Sequence, residues 1–193
     1  MAITCPRCGS EFDATLFEFG NRVHCDCGTE VEYPGTGLSG GHVLAQGEAK
    51  AVAIAATTDP NALDPLGVVE ALLPVCRTEV MQFKLQALVD GLRHEDDDFV
   101  IARVGTGIRA SQAVAAAFWA FLRYWKTPEG CVIRAVGFGG DTDTIGAMAG
   151  ALVGALHGRA WIPVRWLDNI ENGPRGRNEI VALARRLAGL DIW

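Results

Sequence analysis

Gly139-Gly140-Asp141-Thr142-Asp143-Thr144-Ile145-Gly146-Ala147-Met148-Ala149-Gly150-Ala151-Leu152-Val153-Gly154-Ala155-Leu156-His157-Gly158 is the most informative run in the chain. Two glycines free the backbone just before a helix. Asp141, Asp143 and Thr144 then crowd oxygen atoms at the helix start, a donor set that suits a hard ion such as Mg²⁺ or Ca²⁺. The same residue types also serve as N-caps. One aspartate suffices for a cap, and a second two residues on adds repulsion unless a cation relieves it. The helix carries Gly146, Ala147, Gly150, Ala151, Gly154 and Ala155, small residues that let neighbouring helices come close. It can therefore be the buried centre of a bundle, with the acidic cluster opening at its end. His157 sits near its C-terminus and reads as a cap rather than a site residue.

Outward from this run, Ala- and Leu-rich segments with helical spacing predict helices over 43–56, 61–73, 79–92, 110–125, 131–136, 144–156 and 178–187. Leu85, Leu88, Val89 and Leu92 supply the 3–4 spacing of a buried stripe. Pro128, Pro163 and Pro174 punctuate the later connections. Glu95-Asp96-Asp97-Asp98 reads as a solvated loop, with a metal site as the alternative. Cys76 and Cys131 stand singly in apolar helical surroundings and read as core residues. The expected fold is mainly α, an all-α helical bundle.

Tyr33-Pro34-Gly35-Thr36-Gly37-Leu38-Ser39-Gly40-Gly41 is a glycine-rich joint. The expected organisation is a small module over 1–35, a linker over 36–42 and the helical domain over 43–193. Ahead of the joint, Cys5-Pro6-Arg7-Cys8-Gly9 is a tight turn aiming two thiolates at one point. Cys25-Asp26-Cys27-Gly28 repeats the device with one residue fewer. Zinc takes four soft ligands in a tetrahedron, so Cys5, Cys8, Cys25 and Cys27 predict a small β zinc ribbon with a structural Zn²⁺. Residues 11–19 and 22–24 read as a hairpin linking the two knuckles. Two unrelated thiol pairs or a redox site are the alternatives. His24 could replace a cysteine ligand, but reads better as a solvated neighbour.

Charge narrows the partners. The chain of 193 residues has a formal net charge of −6 and a pI of about 5.2. Residues 1–35 alone carry Arg7 and Arg22 against six carboxylates. Phosphate binding depends on clustered Lys and Arg, so a nucleic-acid partner is not expected. The start of the chain lacks a basic segment followed by an apolar run, and 145–156 is too short to span a bilayer. Six cysteines without an export signal suggest a reducing compartment. A cytoplasmic protein with no membrane contact is the expectation.

Gly139-Gly140-Asp141-Thr142-Asp143-Thr144-Ile145, followed by Ala147-Met148-Ala149-Gly150-Ala151, resembles the C-terminal signature of the ADP-ribosylglycohydrolases. Upstream, Gly105-Thr106-Gly107-Ile108 and the helix through Ala113-Val114-Ala115-Ala116-Ala117-Phe118-Trp119 are similar to that family's glycine loop and following helix. Downstream, His157-Gly158, Ile162-Pro163 and Trp166 continue the likeness. Ala56-Thr57-Thr58-Asp59-Pro60 looks like the start of an earlier family helix, with Thr58 where the family often has histidine. The resemblance spans roughly residues 45–190.

It implies an all-α bundle around two magnesium ions. Asp141, Asp143 and Thr144 would be Mg²⁺ ligands. Gly105, Thr106, Gly107 and Ile108, with Gly139 and Gly140, would lie along ADP-ribose. The implied chemistry is hydrolysis of the glycosidic bond between ADP-ribose and a protein side chain or small group. The family's N-terminal half, with its Thr-Asp-Asp metal run, has no counterpart here. The expectation is therefore a hydrolase that acts alone, with a partner chain or as a homo-oligomer, or else a binding module derived from one.

Overall fold

Four helices begin at a side-chain cap or at a proline, which deals with N–H groups that the first turn leaves unsatisfied. Asp64 accepts from the Leu66 amide at 3.1 Å and Pro65 opens α2 (Pro65–Leu72). The Thr78 hydroxyl accepts from the Met81 amide at 3.3 Å to start α3 (Glu79–His94). Asp96 accepts from the Phe99 amide at 3.0 Å and starts α4 (Asp97–Val104). Pro128 opens α6 (Pro128–Gly137). The remaining helices are α1 (Gly40–Thr57), α5 (Ala110–Tyr124), α7 (Thr142–His157), α8 (Val164–Asn169) and α9 (Arg177–Ala188). The computed structural model describes residues 3–12, 22–32, 40–76 and 78–188. Within them the protein is mainly helical, as the residue pattern predicts.

Two helices go beyond that pattern. α4 lies inside the region expected to be loop, because the acidic run is built into structure. Glu95 takes a left-handed conformation, φ 56°, and ends α3. Asp96 then caps α4, and Asp97 accepts from the Trp119 indole N–H at 2.9 Å and from the Tyr124 hydroxyl. Glu95 pairs with Arg123 at 3.2 Å. α8 is too short to show a helical period. The Ala56–Pro60 segment closes α1 rather than opening a helix: the Thr58 hydroxyl donates to the Ile54 carbonyl at 2.7 Å.

α5 is the centre of the bundle, in place of the expected α7. Every residue from Ala113 to Leu122 is buried, so α5 is enclosed on all sides. α7 packs on α1, α5 and α6 through Ile145, Ala149, Leu152, Val153 and Leu156. Ala147 and Ala151 face solvent. Large side chains decide the matter: Phe118, Trp119, Phe121 and Leu122 on α5 bury far more apolar area than the small residues of α7. Those small residues do allow close approach. A Cβ at Gly146 would meet Val136 Cγ2 at 2.9 Å. Cys76 and Cys131 are fully buried core residues, and burial pushes their thiols up to about 11 and about 12.

The N-terminal strands are β1 (Ile3–Thr4), β2 (Glu11–Phe12), β3 (Arg22–His24) and β4 (Glu30–Glu32). β1 pairs antiparallel with β2, setting Ile3 opposite Phe12. β3 pairs antiparallel with β4, setting Val23 opposite Val31. Each knuckle therefore sits between two paired strands. A turn that sends the chain back on itself pairs its own flanks first. Residues 13–19 of the expected linking hairpin lie outside the described residues. So do 33–39 of the glycine-rich joint, and α1 begins at Gly40.

The chain divides into two compact units at Gly158–Arg159. In the second, Trp161 and Trp166 stack edge to face at 6.2 Å. The Arg177 guanidinium donates to the Leu167 carbonyl, tying α9 to α8. Among the described residues no helix is long and apolar enough to cross a membrane.

Candidate functional site

The amino end of α7 is where the sequence motifs converge. Gly139 and Gly140 connect α6 to α7 with φ of 79° and 71°, a region that side chains with a Cβ rarely enter. Gly140 has a second requirement: a Cβ there would lie 2.0 Å from the Thr106 carbonyl oxygen. One residue on, the Asp141 amide donates to that same oxygen at 2.7 Å. The loop Gly105–Ile108, between α4 and α5, is thereby fastened to the start of α7. Two motifs more than thirty residues apart in sequence form one surface.

Asp141 occupies the N-cap position of α7, yet its side chain makes no cap hydrogen bond. Its carboxyl instead meets that of Asp143. This contact, then the backbone N–H groups of Thr144 and of Asp143 itself, hold the Asp143 carboxyl below the usual carboxylate range. Asp143 is exposed, while Asp141 and Thr144 are half-buried. Two carboxyl groups and a hydroxyl at one helix start form an all-oxygen donor set, which fits a hard divalent cation. Among the described residues, no third Asp, Glu, His or Cys joins the pair in a metal-sized cluster.

Two supports of the loop escaped the sequence reading. The Gln112 amide oxygen accepts the Gly107 N–H at 3.1 Å, and its side chain fills the space beneath Gly105 and Gly107. Lys84, buried, donates to the Val104 carbonyl at 2.7 Å, immediately before the loop begins. A lysine on the otherwise apolar Met81–Leu85–Leu88 face was the available signal for the second. Gln112 gave none. Ile108 and Arg109 stand exposed at the loop's outer edge. His157 lies at the far end of α7, where its Nε2 bonds to the Trp125 carbonyl at 2.6 Å and so caps α5 rather than α7.

A separate cluster forms in the N-terminal hairpins. The sulfur atoms of Cys5, Cys8, Cys25 and Cys27 all lie within 4.8 Å of one another and could hold a metal ion. Cys8 and Cys25 approach to 3.4 Å and Cys5 and Cys27 to 3.6 Å. Gly9 and Gly28, with φ of 74° and 80°, complete the two turns. The Ser10 hydroxyl, then its backbone N–H, lower the Cys8 thiol to about 6. The Thr29 hydroxyl acts in the same direction on Cys27. His24 is exposed and outside the cluster.

The structure is a helical bundle in which the Gly105–Ile108 loop closes on the acidic start of α7. The chain belongs to the ADP-ribosylglycohydrolase family, whose profile matches residues 36–192. It is 34% identical over 98 residues to human ADP-ribosylhydrolase ARH3, an overlap covering 46% of this chain and 26% of that protein. An uncharacterized protein of Archaeoglobus fulgidus is 32% identical over 153 residues, covering 77% and 46% of the two chains. The ADP-ribosyl-[dinitrogen reductase] glycohydrolase of Rhodospirillum rubrum is 43% identical over 67 residues, covering 34% and 22%. The chain thus spans less than half the length of each of these relatives. The four cysteines precede the family match.

Proposed function

We propose that this protein is a magnesium-dependent hydrolase of the glycosidic bond between ADP-ribose and a protein side chain or small group. The observation that carries it is the 2.7 Å bond from the Asp141 amide to the Thr106 carbonyl, which joins the family's glycine loop to the acidic start of α7. Oxygens of Asp141, Asp143 and Thr144 would hold the ion. Bound there, Mg²⁺ would orient ribose hydroxyls and water and offset charge as the bond breaks. The chain's own part is positioning. Gly105, Thr106, Gly107 and Ile108 form a rim for ADP-ribose, Gln112 and Lys84 hold that rim in place, and Gly139 and Gly140 let the backbone pass close beneath it.

Calorimetric titration of ADP-ribose, with and without Mg²⁺, tests the site, followed by assay for release of ADP-ribose from modified protein. Binding that needs Mg²⁺ and disappears in Asp143→Ala supports the proposal. No binding in either condition removes it.

A second reading, a ligand-binding module without turnover, is favoured by one observation: among the described residues Asp141 and Asp143 stand as a pair without a third ionisable ligand. Mg²⁺ wants near-octahedral oxygen ligation, so turnover then requires a second chain, or a second copy, that completes the site. Binding of ADP-ribose without release, at every protein concentration tried, selects this reading. The thiol cluster we read as a zinc ribbon, a closed site apart from the hydrolytic one.

A further inference from the structure

Away from the start of α7, a cavity of about 490 Å³ opens between the beginning of α2 and the ends of α3 and α5. The glycine loop precedes α5 and this cavity follows it, so the 15 residues of that helix keep the two about 22 Å apart. The cavity wall is mixed in character. Leu66, Leu92 and Trp125 give it an apolar side, while Arg123 and Lys126 line it together with Asp64 and Glu95.

The cations in this wall have bonding capacity to spare. A guanidinium carries several N–H donors in a planar fork. Arg123 Nη2 meets Glu95 Oε2 at 3.2 Å, and the guanidinium lies 5.5 Å from the centre of the Tyr124 ring. Arg123 Nε, however, is buried and has no hydrogen-bond partner among the described residues. An orphaned buried donor is uncommon in a native fold and points to a missing acceptor. A way in exists, because the Arg123 side chain is 28% exposed. Beside it, Lys126 is exposed and holds its Nζ 5.0 Å from the centre of the Trp125 ring.

The two carboxylates narrow what can enter. Asp64 is committed to the cap of α2, where it accepts from the Leu66 amide at 3.1 Å. The Glu95 side chain is 69% exposed, so its ion pair with Arg123 is weak and an incoming anion can displace it. Both would repel a doubly charged phosphate more than a singly charged group. A carboxylate matches the guanidinium fork through two parallel bonds. An apolar body attached to it would cover Leu66, Leu92 and Trp125, as ligands in mixed cavities do.

We propose that this cavity is a second ligand site, which takes a small carboxylic acid with an apolar or aromatic body, its carboxylate held at Arg123 with Lys126 alongside. The assignment is independent of the ADP-ribose reading of the loop and α7.

Nuclear magnetic resonance on the isotope-labelled full-length protein tests it. The Arg123 Nε–H and Trp125 indole signals are the reporters, assigned through Arg123→Lys and Trp125→Phe. The probes are phenylacetate, benzoate and isovalerate, the neutral isostere phenylacetamide, and inorganic phosphate. At least one carboxylate should shift both signals saturably, and the amide should bind about tenfold or more weakly. Arg123→Lys keeps the charge but loses the fork, and should weaken that carboxylate about tenfold. Glu95→Gln removes the competing carboxylate and should tighten it several-fold, a gain that no loss of folding can produce. No saturable shift with any of the carboxylates overturns the proposal. So does an amide that binds equally well, an affinity unchanged in Arg123→Lys, or one that fails to rise in Glu95→Gln. Phosphate that binds where the carboxylates do not overturns the ligand class.

Discussion

The amide of Asp141 donates to the carbonyl of Thr106 at 2.7 Å, and this bond holds the glycine loop against the acidic start of α7. It forms because Gly140, at φ 71°, brings the backbone where no Cβ fits. Gly140→Ala must both strain that conformation and push Thr106 away. It should destabilise the protein by about 1–3 kcal/mol, a fall in Tm of roughly 3–10 °C, and weaken ADP-ribose binding about tenfold or more. A thermal melt and a titration check it; unchanged binding would detach the loop from the site.

Gln112 tests whether loop order matters apart from loop position. Gln112→Ala removes the acceptor for the Gly107 N–H, at about 1 kcal/mol of stability. ADP-ribose affinity should fall several-fold, and Gln112→Glu, which keeps an acceptor oxygen, should restore most of it. Calorimetry on the two variants side by side decides the point, and equal losses would assign Gln112 a packing role only.

Neighbouring members of the acidic run should behave differently. Asp97 accepts from the Trp119 indole and the Tyr124 hydroxyl, so Asp97→Ala strands two donors and should cost about 2–4 kcal/mol. Asp98 is exposed, and Asp98→Ala should stay within about 0.5 kcal/mol of the parent. Chemical denaturation measures both, and similar values would return the whole run to the solvated surface.

Tyr124 carries the pH signature of the same contact. Burial first, then its bond to Asp97, raise its phenol above the ordinary value near 10. A raised pKa in the folded state stabilises the protein fully below the unfolded value and is lost as pH climbs through the folded one. The contribution is therefore constant at neutral pH and disappears only in alkali. The chain has two tyrosines, so Tyr33→Phe isolates the tyrosinate absorbance of Tyr124. Asp97→Asn should lower its midpoint, and an unshifted midpoint would dismiss the coupling.

Much of this was legible in residues alone. Asp64 and Thr78 accept from amides two or three residues on and Pro128 opens α6, local signals of helix starts, although the residue pattern set the first of these helices at 61 and the last at 131. The doubled cysteine turns announce a cluster because each turn is a local device. The signature at 139–145 announces a family because its glycines and acids serve one another within a few residues. What stayed hidden depends on partners distant in sequence. The fate of the acidic run turned on Trp119 and Tyr124, more than twenty residues on. Gln112 looks like an ordinary helix residue until Gly107 folds back over it.

The sequence by itself determined a mainly helical protein, its thiol knuckles and its family, because propensity and ligand spacing act over a few residues. Only the tertiary structure decided which helix lies at the centre, how the strands pair, and that Thr106 meets Asp141. Those outcomes depend on how much apolar area each face buries and on whether a Cβ fits between two backbones, which are properties of contacts between distant segments.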